Sequence, residues 1–571
     1  MYNLFTKEFI KLIIICFLSV FVFSCKEDTN TEKEIDLSKI SYQINGLSSY
    51  SSENEIVTKL NDYEEISVLT NFDYDPFVYD VHTEMNSTLE ENKAIKHEKR
   101  LKAKEYYSKL NSQYLKQVDT SGYKGVYVSN YLPCVEFIYD REYFIDNKDE
   151  ILLNFSLFDD INKVYVLGGE KDNEYLTEVL EDSTAVSYLR SGLYPGTGVK
   201  VGILDGGIVD VDHIALQNMN IVVRDRFFVF ETESEHSTMM AAVIASPVDG
   251  FCDEASIYSV EASGSFSDEF DWLIENEVDV INISCGDVND EGIYKANSAY
   301  ADYVVDNYDI CIVAAAGNKT GQVYNVANPG MGYNVLTVGS YDGNGQITDY
   351  SCFIEDEIHT EKPNLVVRGT NITLNGFPSA YTGTSLACAA MSGFCTYLIN
   401  RFPNVLNDIE ILLTGVMAGC GPLFLDCGSI ETNGMSDTAG CGLFNLPRAI
   451  EALTNYRSYV WYRTTPYTQE TLVKQFVIRM EERETVTLVL YWNAYATGDE
   501  DETQHALFRI KITSPLNEVM ADLEADNANY YYVRMDGLYA EGDYYVDVTL
   551  IGGAAHPNNA ERVTVCYSRG W

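Results

Sequence analysis

The apolar positions of this chain follow three different patterns, and each marks a different architecture. From residue 199 the run "VKVGILDGG" is almost continuously apolar and closes on a carboxylate, Asp205. Strand-like runs then alternate with helical patterns to about residue 453. Strands without an exposed face are what a parallel sheet covered by helices on both sides requires. Beyond it lie "TVTLVLYW", "ALFRIKI", "YYYVRM" and "DYYVDVTLI", separated by Gly, Asn and Asp turns. These short strands predict a β-sandwich or jelly roll. Ahead of the parallel region, residues 38 to 170 mix strand-like pieces with one long helical segment, roughly Ser87 to Val118. In that segment Tyr107, Leu110 and Tyr114 recur at helical spacing.

The expected fold is therefore α/β, a doubly wound and mostly parallel sheet, with an α+β region before it and a β-sandwich or jelly-roll domain after it. The expected divisions are a leader at 1–25, an N-terminal α+β region with a polar tether at 26–185, the α/β domain at 186–455 and the β-domain at 456–571. A chain of 571 residues is too long for one core. With 39 basic against 86 acidic residues its net charge is −47, which excludes nucleic-acid binding. One basic patch stands out, "KAIKHEKRLKAK" at 93–104. A solvated helix face is the expectation for it, with a docking role as the alternative.

The leader places Lys7 and Lys11 ahead of an apolar stretch from Leu12 to Phe23, followed by Ser24 and Cys25. That stretch is short for a membrane span and fits a signal h-region, so export is expected. "VFSC" resembles the lipobox of bacterial lipoproteins, which implies a lipid anchor on Cys25 and attachment to the cell envelope: outer membrane, periplasm or cell surface. An ordinary signal peptide or a retained anchor is the alternative. The 13 cysteines are scattered through apolar segments. Only Cys420, Cys427 and Cys441 cluster, without a neighbouring His, so buried thiols are expected and no metal site is assigned.

Candidate chemistry centres on "GTSLACAAMSG", residues 383–393. Gly-Thr-Ser before an apolar run is a common helix cap, yet it also sets the hydroxyl of Ser385 at the positive end of a helix. A nucleophilic role needs a base. Of seven histidines, His82 and His97 fall in the N-terminal region, His505 and His556 in the β-appendage and His359 in a loop. His213 has no helix behind it, whereas His236 opens "HSTMMAAVIAS". Asp205, His236, Asn318 in "VAAAGN" and Ser385 follow one another in that order. In these four motifs the chain resembles the subtilisin-like serine proteases over residues 195 to 453. "INISCG", "VLTVGSYDGNG", "KPNLVVRG" and "GCGLFNLPRAIEAL" are similar to less specific family segments.

The resemblance implies a serine endopeptidase in which Asp205, His236 and Ser385 form the triad and Asn318 donates to the oxyanion. It implies that Ser284, Cys285 and Gly286 bind a peptide or protein substrate as an added strand, with Ala315, Ala316 and Gly317 on the opposite wall. The segment before residue 186 resembles a propeptide, with a polar junction at 167–186 able to enter the site in cis. No cofactor is required; calcium is common in the family, but no sites are assigned, and a monomer is expected. The sequence departs from the family at Gly206, Ser237, Met239, Arg368, Cys388 and Ala389. Two alternatives stand beside this reading: a thiol nucleophile at Cys285 or Cys388, and a degraded subtilase serving as a cell-surface binding protein.

Overall fold

The computed structural model describes residues 35–43, 52–72, 88–118, 121–158, 161–168, 174–175, 178–180, 195–224, 232–287, 292–319, 325–354, 361–421, 435–462, 473–482, 484–495, 505–524, 529–535, 540–553 and 560–570. Cys25, the leader, Cys427, His82, His359 and His556 lie outside the described residues.

Seven strands form the central sheet, in the order Ile221–Val223, Ser256–Glu261, Lys200–Asp205, Val280–Ile283, Cys311–Ala315, Leu336–Tyr341, Leu365–Arg368. Every neighbouring pair is parallel. Val201, Ile203, Leu204, Val280, Ile281 and Ile283 are buried on both faces, which is why these strands read as unbroken apolar runs. Helices Glu235–Ala245 and Thr384–Arg401 cover one part of the sheet; Ser267–Glu275 and Ala296–Tyr308 lie in the crossovers between its strands. Asp205, Ile283 and Ala315 end adjacent strands, so the loops that follow them gather at the carboxyl edge of the sheet, where α/β folds build their sites.

The N-terminal region is a five-stranded sheet in the order Ile40–Gln43, Ile161–Gly168, Glu65–Phe72, Cys134–Asp140, Gly125–Val128, with only the first pair parallel. Its long helix spans Leu89–Leu115. A reciprocal cap starts it: Glu91 N–H donates to Thr88 Oγ1 at 3.2 Å and Thr88 N–H to Glu91 Oε2 at 2.7 Å.

The basic stretch of this helix differs from the solvated face expected for it. Lys96 and Arg100 are buried against the α/β domain, where Lys96 Nζ donates to the Asp309 carbonyl at 2.9 Å and Arg100 Nη2 to that of Val278 at 2.8 Å. Lys93 pairs with Asp279 at 2.8 Å and Lys99 with Asp309 at 2.9 Å, while His97 and Lys104 contact Glu277 and Glu275. Positions 93, 97, 100 and 104 share one helix face with Lys96, and these four meet the segment 275–279 while Lys96 reaches Asp309. The sheet behind the helix adds a second anchor. Tyr127 Oη, Ser129 Oγ and Asn130 N–H all donate to Asp271, at 2.6, 2.8 and 2.6 Å.

Two four-stranded antiparallel sheets make up the C-terminal region. One runs Arg457–Tyr462, Ala560–Arg569, Val486–Tyr491, Tyr530–Met535, and the other Val473–Met480, Gly542–Gly553, Ala506–Thr513, Val519–Glu524. Along Val486–Tyr491 the side chains alternate between two cores. Leu488 and Leu490 pack toward the second sheet; Val489 and Tyr491 join the α/β core. Arg448, on the helix Leu446–Thr454, reaches across to Ser568 Oγ at 3.0 Å and Thr487 Oγ1 at 2.6 Å.

Candidate active site

Asp205 is fully buried at the end of its strand and accepts on both oxygens. Its Oδ1 takes the Gly206 N–H at 2.8 Å, and its Oδ2 lies 2.8 Å from His236 Nδ1. An ionised carboxylate only accepts, so this contact puts the proton on Nδ1 and leaves Nε2 as the basic nitrogen. His236 is the second residue of its helix. Ser234 caps that helix, its Oγ accepting from the N–H groups of His236 and Ser237 at 3.1 and 3.3 Å. Ser237 donates from Oγ to the Gly207 carbonyl at 2.6 Å and so ties the helix to the loop that follows Asp205. Thr238 continues the tie, accepting the Asp210 N–H at 2.9 Å.

Ser385 is the second residue of the helix Thr384–Arg401, whose N-cap is Gly383 and not the serine itself. Its Oγ donates to the Ser284 carbonyl at 3.0 Å, and Ser284 Oγ in turn donates to the Ser385 carbonyl at 3.2 Å. These two bonds join the helix Thr384–Arg401 to the end of the strand Val280–Ile283. Ile283 is in register with Leu204, so Ser284 and Asp205 emerge side by side. The candidate acid, base and hydroxyl therefore hang from elements locked to neighbouring strands.

Asn318 follows the strand Cys311–Ala315. Its Oδ1 accepts from both the N–H and the Oγ1 of Thr384 at 3.1 Å, and Thr384 Oγ1 accepts the Gly317 N–H at 3.1 Å. With the oxygen committed to Thr384, the amide nitrogen is the end left to serve a developing negative charge. Thr384 was not among the residues singled out from sequence. Its only signal there is a place in a Gly-Thr-Ser turn, which reads equally well as a cap. Tyr381 was also missed: its hydroxyl donates to Glu235 Oε1 at 2.7 Å, bracing the residue before His236, and burial beside that carboxylate raises its phenol above the usual range.

Ala315, Ala316 and Gly317 are small and buried, the glycine turning at φ 109°, and Ser284, Cys285 and Gly286 follow the neighbouring strand, whose Ile283 is in register with Ala314. A side chain at Gly286 would meet the Asn328 carbonyl at 2.8 Å, so that position is closed to anything larger. The segment Cys285–Gly286 also carries a strand. Tyr175 and Glu174 pair with it antiparallel, in register with Cys285 and Gly286.

The raised thiols of Cys285 and Cys388 work against the thiol alternative. Cys285 Sγ points at the Leu204 carbonyl, 3.7 Å away, and burial raises its thiol well above the usual range. Cys388 Sγ contacts Asn282 Oδ1 and the Val313 carbonyl at 3.3 Å, and burial pushes it up to about 12. Neither supplies a thiolate near neutral pH. His213 is likewise set apart, capping a short turn at Ile214–Leu216 and lying against Phe377. Calcium stays without assigned ligands: among the described residues no group of three or more His, Cys, Asp or Glu is arranged to hold a metal ion.

Residues 196–414 match the model of the subtilase family, Peptidase S8. The chain is similar to Subtilisin NAT of Bacillus subtilis subsp. natto, 29% identical over 239 residues that cover 38% of this chain and 60% of that protein. It is also similar to Subtilisin DY of Bacillus licheniformis, 29% identical over 258 residues, 40% of this chain and 88% of that one. Fervidolysin from Fervidobacterium pennivorans, a keratinolytic enzyme related to subtilisin, aligns with a TM-score of 0.47 at 12% identity, over 88% of this chain and 95% of its own. The match to the first curated relatives spans 60% of their length.

Proposed function

We propose that this chain is a serine endopeptidase of the subtilisin type, acting as a monomer on peptide or protein substrates. The observation that carries the reading is the buried Asp205–His236 contact of 2.8 Å, set at the same sheet edge as Ser385 and an Asn318 whose amide is already oriented. Seven parallel strands and a subtilase-family match over residues 196–414 support it.

In this reading Ser385 Oγ turns from the Ser284 carbonyl toward His236 Nε2 and attacks the scissile carbonyl as the imidazole takes its proton. Asp205 holds the imidazole through Nδ1 and stabilises the imidazolium. Asn318 Nδ2 and the Ser385 N–H receive the oxyanion in a site already ordered before the substrate arrives. His236 then protonates the leaving amine. Water, deprotonated by the same imidazole, releases the acyl group and restores the serine.

The N-terminal region acts as a propeptide in this scheme, and the leader exports the chain with Cys25 as its lipid anchor. The support for the anchor is the "VFSC" sequence alone. The reading is tested by labelling the purified protein with a fluorophosphonate and assaying casein hydrolysis. A folded protein that neither labels nor hydrolyses would leave it as a binding scaffold.

A further inference from the structure

The helix Glu235–Ala245 is buried at every position but its first. That exposed residue is Glu235, joined through the backbone to His236, and it sets a negative charge at the rim of the cleft. A carboxylate in a first turn favours its own helix end, but that role needs no partner from another element. Glu235 has such a partner: the Tyr381 hydroxyl donates to its Oε1 at 2.7 Å. Tyr381 is buried in the strand Ala380–Thr382, four residues before Ser385, so this bond joins the element that carries the candidate base to the one that leads to the candidate hydroxyl. Burial, with Glu235 beside it, raises the phenol above its usual range and keeps it a donor that pins the carboxylate.

We propose that Glu235, held by Tyr381, selects a lysine or arginine on the residue that supplies the leaving amine; the inference rests on the proposed endopeptidase reading. In that reading the acyl half of the substrate runs along Ser284–Gly286, and His236 gives its proton to the amine of the other half. The residue bearing that amine therefore lies against the imidazole, and Glu235 is the chain neighbour of that imidazole. Tyr381 engages one carboxylate oxygen, and among the described residues no lysine or arginine pairs with Glu235. The charge is left for a cation that arrives with the substrate.

The surroundings favour the same ligand. Glu233 is exposed two residues earlier, and Glu261 Oε2 accepts the Thr232 N–H at 2.9 Å, so the rim around Glu235 is acidic on both segments. Phe377 is half-buried and stands edge-on to Tyr381, with ring centroids 6.3 Å apart. Its apolar surface suits the aliphatic stem of a lysine or arginine whose head reaches the carboxylate. A neutral residue there gains no charge-assisted bond, and an acidic one meets repulsion. The net charge of −47 attracts cationic peptides whatever the place of the cation, and Glu235 is one of 86 acidic residues. Only a preference tied to one substrate position points to it.

Glu235→Gln keeps an oxygen for the Tyr381 hydroxyl and drops the charge; Glu235→Lys inverts it. The full chain and its Glu235→Gln, Glu235→Lys and Tyr381→Phe variants are each given a mixture of random-sequence peptides, and every cut is mapped by mass spectrometry. The wild type is expected to show lysine and arginine enriched about tenfold over glutamine at the residue just after the cut, as one charge-assisted hydrogen bond provides. The enrichment should shrink in 1 M NaCl, where the screening length falls to about 3 Å. Glu235→Gln should lose it and keep the wild-type profile before the cut, Glu235→Lys should favour aspartate and glutamate after the cut, and Tyr381→Phe, with the carboxylate no longer pinned, should retain a weaker enrichment than wild type.

A Glu235 that served only its helix would slow every peptide alike and leave the ratio of lysine to glutamine unmoved in Glu235→Gln, which overturns the proposal. A wild type that cuts peptides without the enrichment overturns it too, as does an enrichment that appears only before the cut. In each of those cases the endopeptidase reading stands. A folded wild type that neither labels with fluorophosphonate nor cuts any peptide overturns both readings together.

Discussion

Thr384 holds the side-chain oxygen of Asn318 by two hydrogen bonds of 3.1 Å, one from its backbone N–H and one from its hydroxyl. The first survives any substitution at 384 except proline; the second survives only where a hydroxyl is kept. Thr384→Val is therefore expected to lower kcat by about tenfold with KM little changed, the worth of one hydrogen bond felt in the transition state. Thr384→Ser should restore most of the rate. Steady-state kinetics on a peptide substrate separate the two parameters, and a loss confined to KM would make Thr384 a substrate contact instead.

Asn318→Ala would remove the proposed oxyanion donor outright. The expected fall in kcat is about 10² to 10³ with KM nearly constant. An unchanged kcat in a folded variant would show that Asn318 does not face the reacting carbonyl.

Cys285 and Cys388 are buried with thiols raised by desolvation, Cys388 to about 12. Iodoacetamide at pH 8 should leave hydrolysis intact. Loss of activity that tracks alkylation of either thiol, read by peptide mass mapping, would bring the thiol nucleophile back.

Docking of the long helix should depend on pH through Lys96. Burial, with Arg100 and Lys93 adding repulsion and Asp279 and Asp309 opposing it, lowers its ammonium to about 7. Undocked, the same group titrates near its ordinary value of about 10.4. Between those values the docked state binds fewer protons, so docking strengthens as pH rises from 7 toward 10 and carries its full penalty below 7. If the chain is cut at the expected junction, 167–186, its two fragments should co-elute more tightly at pH 9 than at pH 7. Lys96→Met should remove that dependence and tighten the complex at pH 7. An unaltered pH profile in Lys96→Met would assign it to other groups.

Arg448 ties the last helix of the α/β domain to Thr487 and Ser568 of the β-domain. Arg448→Ala leaves those hydroxyls without their guanidinium, and a loss of about 2–3 kcal/mol in unfolding free energy is expected. Urea unfolding followed by tryptophan fluorescence measures it, and a shift within about 0.5 kcal/mol would show that the domains hold together without this bridge.

What could be read from sequence was local. The strand ending at Asp205 announces itself because a parallel strand buried on both faces is apolar throughout, and the long helix, expected at Ser87 to Val118, spans Leu89–Leu115. The basic stretch on that helix could not be assigned locally, because its partners at Glu275, Glu277 and Asp279 lie some 170 to 190 residues away and only the fold brings them together. The strands Glu174–Tyr175 and Glu178–Leu180 were hidden for a related reason. "NEYLTEVL" is polar without alternation, and its Glu174–Tyr175 and Glu178–Leu180 become strand by adding to edges that other segments supply. Thr384 reads as a cap until Asn318, 66 residues earlier, is seen to lie against it.

The central claim is that Ser385 is the nucleophile of an Asp205–His236–Ser385 triad, and Ser385→Ala tests it most directly because it deletes one hydroxyl from an otherwise unchanged helix. The measurement is fluorophosphonate labelling and casein hydrolysis, side by side, on wild type and on a Ser385→Ala protein with the same circular dichroism and melting temperature. The wild type is expected to label at Ser385 and hydrolyse casein, and the variant to do neither. Hydrolysis at the wild-type rate by a folded Ser385→Ala protein would contradict the assignment.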